Sequence, residues 1–167
     1  MDKKSDRETP VSGESEPNRN SRDLKSVMTA NPQCVTEQDS LKDVARLMLD
    51  CDCGALPVVG ENERLIGMIT DRDIVVRVIA EGRDCSQATV KDAMTTEIHS
   101  VRENDSLESV FRVMRDNKVR RVPVIDANER VVGIVAQADL ALDTSRDREV
   151  GKTVERISEP ERPRANQ

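Results

Sequence analysis

The chain contains itself twice. Sliding the sequence by 66 residues lays residues 24–73 over 90–139 without a gap, and 19 of the 50 pairs are identical. Met28 and Thr29 meet Met94 and Thr95, Asp39, Ser40 and Leu41 meet Asp105, Ser106 and Leu107, Pro57 and Val58 meet Pro123 and Val124, and Gly67 meets Gly133. A register this continuous means two copies of one supersecondary unit. A single unit of this size recovers too little of its chain's surface to be stable alone, so the two must pack on each other, related by a pseudo-two-fold axis that creates two equivalent clefts.

Apolar spacing gives each unit its elements. Leu41, Val44, Ala45, Met48 and Leu49 fall at helical intervals, as do Leu107, Val110, Phe111 and Met114. Ser40 with Asp43, and Asp105 with Glu108, carry helix-start chemistry. The apolar runs 55–59 and 65–69, and their counterparts 122–125 and 131–135, are short, rich in Val and Ile, and separated by the polar turns 60–64 and 126–130, so each pair reads as two strands. A second helix starts near Thr70 and ends at Gly82. The predicted fold is α+β, two tandem β-α-β-β-α units with polar tails.

Composition separates the units from the ends. Residues 24–143 hold 54 of the 60 apolar residues, while 1–23 and 144–167 hold almost none and have nearly balanced charges. The expected organisation is a polar N-terminal tail over 1–23, a first unit over 24–82, a linker over 83–89, a second unit over 90–143 and a charged C-terminal tail over 144–167. Val150, Val154 and Ile157 within that tail are at helical spacing, which allows part of it to form a helix. The formal net charge of −6 therefore belongs to the two units, and with Phe111 as the only aromatic residue it argues against nucleic acid as a partner. No apolar run reaches the roughly 18 residues of a membrane span, and residues 1–20 have no signal-peptide core. The sequence is read as cytoplasmic, with Cys34, Cys51, Cys53 and Cys85 reduced.

Several motifs together carry a family resemblance. Val27-Met28-Thr29, the Asp-Ser-Leu helix start, Leu56-Pro57-Val58-Val59 and the run from Gly67 to Asp73 resemble a cystathionine-β-synthase (CBS) domain. Ala93-Met94-Thr95, Arg120 to Asp126 and Gly133-Ile134-Val135 resemble a second one. The chain is thus similar to a stand-alone CBS pair, or Bateman module. The resemblance implies a regulatory, non-catalytic protein without an obligatory cofactor, which binds AMP, ADP, ATP or S-adenosylmethionine between its repeats and signals to a partner. It also implies a homodimer formed through the helices, for which Ile74, Val75, Val78 and Leu140 supply the expected apolar face.

Local chemistry points to a site in the first copy. Thr70 can cap the helix that follows its strand, and Asp73 stands one turn in. A helix start offers free N–H groups to a phosphate and a carboxylate can accept both hydroxyls of a ribose. In the resembled family the matching Thr contacts the ribose-phosphate and the matching Asp the ribose diol. The same two residues would equally serve as a plain helix start. Arg72, Arg120 and Arg121 are the expected phosphate partners, the last two being alternatively surface ion-pair partners of Asp116 or Asp126. Val35, Leu56, Pro57 and Val58 are the expected walls for adenine, or else plain core.

The second copy departs from this pattern, since Ala136 replaces Thr70 while Asp139 matches Asp73. With Val101, Val122 and Pro123 these define a weaker second site, vacant or selective for a ligand that makes less use of its phosphate. Asp71 beside Asp73 leans the first site toward AMP-like ligands with few phosphates. Catalysis is not expected: His99 is the only histidine and no P-loop or nucleophile elbow is present. Nor do Cys51 and Cys53 have the further ligands a structural zinc needs, so no metal site is expected. The rival reading is a ligand-free oligomerisation or protein-interaction module.

Overall fold

A computed structural model describes residues 23–142 and 147–159. The chain runs through α1 (Leu24–Val27), β1 (Thr29–Ala30), α2 (Leu41–Asp50), β2 (Ala55–Val59), β3 (Leu65–Thr70) and α3 (Asp71–Ile74). It continues through α4 (Val90–Ala93), β4 (Val101–Arg102), α5 (Leu107–Asn117), β5 (Arg121–Ile125), β6 (Val131–Ala136), α6 (Gln137–Ala141) and α7 (Asp147–Ser158). After α3 the helix widens over Val75–Ile79, where the Ala80 N–H donates to the Val75 carbonyl, and the chain leaves it at Gly82 with φ +69°. The mixed α+β architecture of two repeated units is as expected.

The helix starts follow the predicted chemistry only in part. Ser40 accepts the Asp43 N–H at 3.1 Å, a side-chain cap of α2. In copy two, Asp105 instead turns back to accept the Arg102 N–H at 2.8 Å, and Glu108 pairs with Arg115. Asp39 does the same for Thr36 at 2.7 Å. The aspartate of each Asp-Ser-Leu run therefore fixes the loop before the helix, and the serine stands at the helix start.

The units exchange their leading segments, which the within-copy strand order did not anticipate. β2 and β3 form an antiparallel hairpin, as do β5 and β6, with β4 parallel to β5 and Val35 making the equivalent parallel bridge to Val58. β1 leaves its own copy and pairs with β6, Thr29 opposite Ile134. Reciprocally, Thr95 bridges to Met68 on β3 through two backbone hydrogen bonds of 2.8 and 2.9 Å. Glycine makes the crossing fit: a Cβ on Gly133 would stand 2.5 Å from Met28 Sδ, and one on Gly67 3.1 Å from the Thr95 carbonyl oxygen. The repeated Met-Thr pairs and the repeated glycines are thus two sides of one contact.

The cores are exchanged in the same way. Leu24 packs in the core of copy two, with Phe111, Met114, Val122, Val124 and Val135, whereas Val90 and Ala93 pack in that of copy one, with Leu41, Val44, Leu56, Val58 and Ile69. Burying these aliphatic chains contributes the main folding term. Ile74, Val78 and Leu140 are buried in the cores, which removes them from the expected dimer face; Val75, with Val76 and Ile79, is exposed.

The expected C-terminal tail contains α7, packed on α5 and α6. Thr153 and Ile157 are buried, and Lys118 donates to the Glu159 carbonyl at 3.1 Å. The helix that the spacing of Val150, Val154 and Ile157 allowed is present and buries one narrow stripe. The expected N-terminal tail over 1–23 lies, except for Asp23, outside the described residues. Among the described residues no helix is long and apolar enough to cross a membrane.

Candidate functional site

Strand exchange builds two clefts, each from both copies. The first, about 530 Å³, is lined by Thr70, Asp71, Arg72 and Asp73 from copy one and by Thr95, Glu97, Ile98, His99, Lys118, Val119, Arg120, Arg121 and Pro123 from copy two. Ile157 of α7 closes one side. Its volume lies within the range of small-molecule sites.

Thr70 and Asp73 form a reciprocal capping box at the head of α3. The Asp73 N–H donates to Thr70 Oγ1 at 3.1 Å, while Asp73 Oδ2 accepts the Thr70 N–H at 3.0 Å and its hydroxyl at 2.6 Å. The box leaves Asp73 Oδ1 to an ion pair with Arg77 Nη2 at 3.5 Å. Arg77 also donates through Nη1 to the carbonyls of Ala93 at 2.7 Å and Met94 at 2.8 Å. The carboxylate is therefore linked through one guanidinium to the segment that enters the cleft from copy two.

Charge in this cleft is mixed. Arg72, Lys118, Arg120 and Arg121 face Asp71, Asp73 and Glu97. Among the described residues no ion pair joins Arg120 or Arg121 to Asp116 or Asp126; Asp126 pairs with Arg130 instead, and accepting the Arg130 N–H holds its carboxyl below the usual range. Arg121 comes close to copy one at Gly54, where a Cβ would lie 3.5 Å from Arg121 Nη2, an ordinary contact, and a tighter 3.0 Å from Asp71 Oδ2.

The second cleft, about 460 Å³, is lined by Ala136, Ala138, Asp139, Ile134 and Arg121 and by Thr29, Asn31, Pro32, Gln33, Cys51, Asp52, Cys53, Ala55 and Leu56 from copy one. Ala136 lacks a capping hydroxyl, yet Asp139 Oδ2 still accepts its N–H at 2.7 Å. Asp52 and Asp139 face the single cation Arg121 across this cleft. Cys51 and Cys53 are joined as a disulfide, in contrast to the reduced state expected from the sequence.

Of the predicted site residues, Thr70, Arg72, Asp73, Arg120 and Arg121 converge on the first cleft, and Ala136 and Asp139 on the second. The predicted walls are placed differently. Leu56 lines the second cleft rather than the first, and Pro123 the first rather than the second. Val35, Val58, Val101 and Val122 are buried in the cores, and Pro57 is buried on β2 away from either cleft. The physical reason is the exchange: each helix start faces the chain entering from the other copy, so the walls of the first cleft are Ile98, Val119 and Pro123. Lys118, Ile98, Val119 and Ile157 were not anticipated as site residues. Only the helical spacing of Val150, Val154 and Ile157 hinted at the last.

The CBS domain family matches the chain twice, over residues 24–80 and 90–142. Hypoxic response protein 1 of Mycobacterium tuberculosis is 43% identical over 117 residues, 70% of this chain and 81% of that protein. Its crystal structure, described with two coordinated zinc ions, superposes with a TM-score of 0.67 at 41% identity, covering 73% of this chain and 98% of that one. Among the described residues no three His, Cys, Asp or Glu side chains stand together as a metal set. The CBS pair of protein MJ0100, in complex with 5′-methylthioadenosine and S-adenosylmethionine, gives a TM-score of 0.66 at 26% identity, over 72% of this chain and 98% of that one. CBSX2 of Arabidopsis thaliana in complex with AMP gives 0.62 at 27% identity, over 74% and 98%. With two matched domains covering most of its length, the chain belongs to the CBS domain family.

Proposed function

We propose that this protein is a non-catalytic sensor whose first cleft binds an adenosine ligand with few phosphates, AMP before ATP, and signals to a partner through the packing of its two repeats. The observation that carries this reading is the Thr70–Asp73 box, with Arg72 on the same turn, facing Lys118, Arg120 and Arg121 of copy two across one cleft of suitable size. Asp73 Oδ1 would accept the ribose hydroxyls, the α3 start and the cations would hold one phosphate, and Ile98, Val119 and Pro123 would flank the base. Asp71 and Glu97 oppose further phosphates. The AMP and S-adenosylmethionine complexes of related pairs support the ligand class. Binding would signal because the ligand touches both copies at once, and a ligand shifts a conformational equilibrium only through unequal affinity for its two states.

Calorimetry with AMP, ADP, ATP, NAD and S-adenosylmethionine tests the reading. The expected order is AMP tightest, with Asp73→Ala binding weakened at least about ten-fold, or ~1.4 kcal/mol. No heat from any of the five, or an Asp73→Ala variant that binds as well as the parent, would overturn it.

A second reading, association through the helices, is favoured by the exposure of Val75, Val76 and Ile79 along one segment. Homodimers are the expected species, and a monomer at all concentrations in sedimentation would remove this reading without touching the first.

A further inference from the structure

The only cysteines on either cleft, among the described residues, are Cys51 and Cys53, and the backbone that brings them together does not depend on their bond. They flank Asp52 at the end of α2, with Cα atoms 5.3 Å apart. Asp52 takes a left-handed φ of 49°, and the Cys53 N–H donates to the Met48 carbonyl at 3.0 Å. Copy two makes the same turn without sulfur: Lys118 has φ 53°, and the Val119 N–H donates to the Met114 carbonyl at 3.2 Å. This left-handed helix end is a general device for satisfying the last carbonyls of a helix. It therefore holds positions 51 and 53 side by side whether their sulfurs are joined or not, and both redox states fit one backbone.

Position supplies the rest. Both cysteines line the second cleft opposite Ala136 and Asp139, Cys51 exposed and Cys53 half-buried. The remaining two, Cys34 and Cys85, line neither cleft, and burial pushes the Cys34 thiol up. The first cleft has Lys118 and Val119 at the matching place beside it, so redox chemistry acts directly on the second cleft only.

We propose that Cys51 and Cys53 are a reversible thiol–disulfide couple, exchanging with low-molecular-weight disulfides, that controls occupancy of the second cleft. The exchange part stands by itself; the control part rests on the reading that the clefts hold ligands. In oxidation, the thiolate of one cysteine attacks a disulfide RSSR, forms a mixed protein–S–S–R bond and releases RS⁻. The thiolate of the second attacks the protein sulfur of that bond and releases the other RS⁻. Two protein thiols have lost two electrons and two protons, and RSSR has become two RSH; a dithiol reductant runs the sequence backward. Reduction replaces a bond by two thiols that cannot remain at bonding distance, so one sulfur swings into the cleft. Any thiolate adds negative charge where Asp52 and Asp139 already face a single arginine. The oxidised form is the binding form.

The full chain, equilibrated across mixtures of reduced and oxidised glutathione, then alkylated and weighed intact and after digestion, tests the couple. Two thiols, both on the peptide holding residues 51–53, should disappear and return together, while Cys34 and Cys85 remain alkylated throughout. Cys51→Ser and Cys53→Ser should each trap a glutathione adduct instead. A pair that stays open, or stays closed, across the whole range overturns the couple. Calorimetry with 5′-methylthioadenosine, a probe without phosphate, tests control: oxidised protein carrying Asp73→Ala, which weakens the first cleft in both redox states alike, should bind at least about three-fold more tightly than the same protein reduced. The double variant Cys51→Ser/Cys53→Ser in that background should show no redox response. Equal affinity in both states overturns control. Absence of binding by oxidised, reduced and double-serine protein alike overturns the ligand reading of this cleft, and control with it, while the mass measurement still decides the couple.

Discussion

Exchanging one residue between the copies tests the site from the protein's own internal comparison. Thr70→Ala turns the first helix start into the second, and copy two shows what remains: with Ala136 in place, Asp139 Oδ2 still accepts the backbone N–H at 2.7 Å. The variant therefore keeps the 3.0 Å bond from the Thr70 N–H to Asp73 and loses the two made by Oγ1, at 2.6 and 3.1 Å. Loss of such a cap costs about 1 kcal/mol, within a range of roughly 0.5–2. With a urea slope of about 2 kcal/mol/M, the midpoint falls by ~0.5 M, and the melting temperature by ~4 °C. Ala136→Thr should do the reverse. Its backbone, at φ −94° and ψ 154°, is the extended conformation a capping threonine uses, and its side chain faces the open second cleft. The double exchange should return close to the parent, because the two helix starts share no partner. Urea and thermal unfolding of the four proteins give the answer. An Ala136→Thr variant less stable than the parent, or a Thr70→Ala variant with an unmoved midpoint, would refute the capping argument. AMP titration of the same set then separates roles, since a threonine that only starts a helix leaves affinity unchanged.

Three further outcomes are expected. Arg77→Gln removes the donor to the carbonyls of Ala93 and Met94 and the partner of Asp73; discounted for its partial exposure, the loss is about 1–2 kcal/mol, and hydrogen exchange should rise over 93–98 while α5 stays protected. Arg121→Ala should weaken AMP roughly 5- to 10-fold, or ~1–1.4 kcal/mol, but adenosine hardly at all; an equal effect on both would remove Arg121 from phosphate binding. Below about pH 4 the protein should lose stability. Hydrogen bonds from Ser86, from Thr89 and Arg83, and from Arg130 lower the carboxyls of Asp84, Asp92 and Asp126 respectively below their ordinary 3.8. Depressed carboxyls contribute stability that is present above the ordinary value and lost as pH falls through the folded one. Unfolding midpoints should be flat from about pH 7 to 5, and Asp92→Asn should flatten the acid limb.

What was legible in the sequence depended on the range of the interaction. The hairpins and the main helices follow from local period, and Thr70 with Asp73 are three residues apart, so their juxtaposition is a property of any helix start. The walls are not local. Leu56 and Pro123 were each assigned to the cleft of their own copy, and each lies in the other, because β1 and the Thr95 segment cross over. No periodicity specifies which of two equivalent sheets an entering strand joins. The trace it did leave was steric: methionine repeated at 28 and 94, glycine repeated at 67 and 133, fitting each other across copies. α7 was legible only as a helix that the spacing of Val150, Val154 and Ile157 allowed, for a different reason. Its buried stripe is only Thr153 and Ile157, with Val150 partly covered, too narrow to raise the mean apolar content of a charged segment.

The crossing also explains how two copies of one unit come to hold unlike sites. Since every cleft takes its helix start from one copy and its wall from the other, divergence of one copy as a whole changes the start of one cleft and the wall of the other rather than all features of one. Copy two contributes the alanine start to the second cleft and Lys118 and Arg120 to the first, so the first acquires both the threonine box and most of the cations. Copy one contributes Cys51, Asp52 and Cys53 to the second, which thereby combines the start without a capping hydroxyl with an acidic, sulfur-bearing wall. Arg121 reaches both. One guanidinium cannot be fully engaged at two sites at once, so ligands that draw on it in one cleft must weaken those that draw on it in the other. By thermodynamic reciprocity each must weaken the other by the same factor. A redox change at Cys51 and Cys53 that alters the second cleft would then be felt in the first, through Arg121 and without any movement of the capping box.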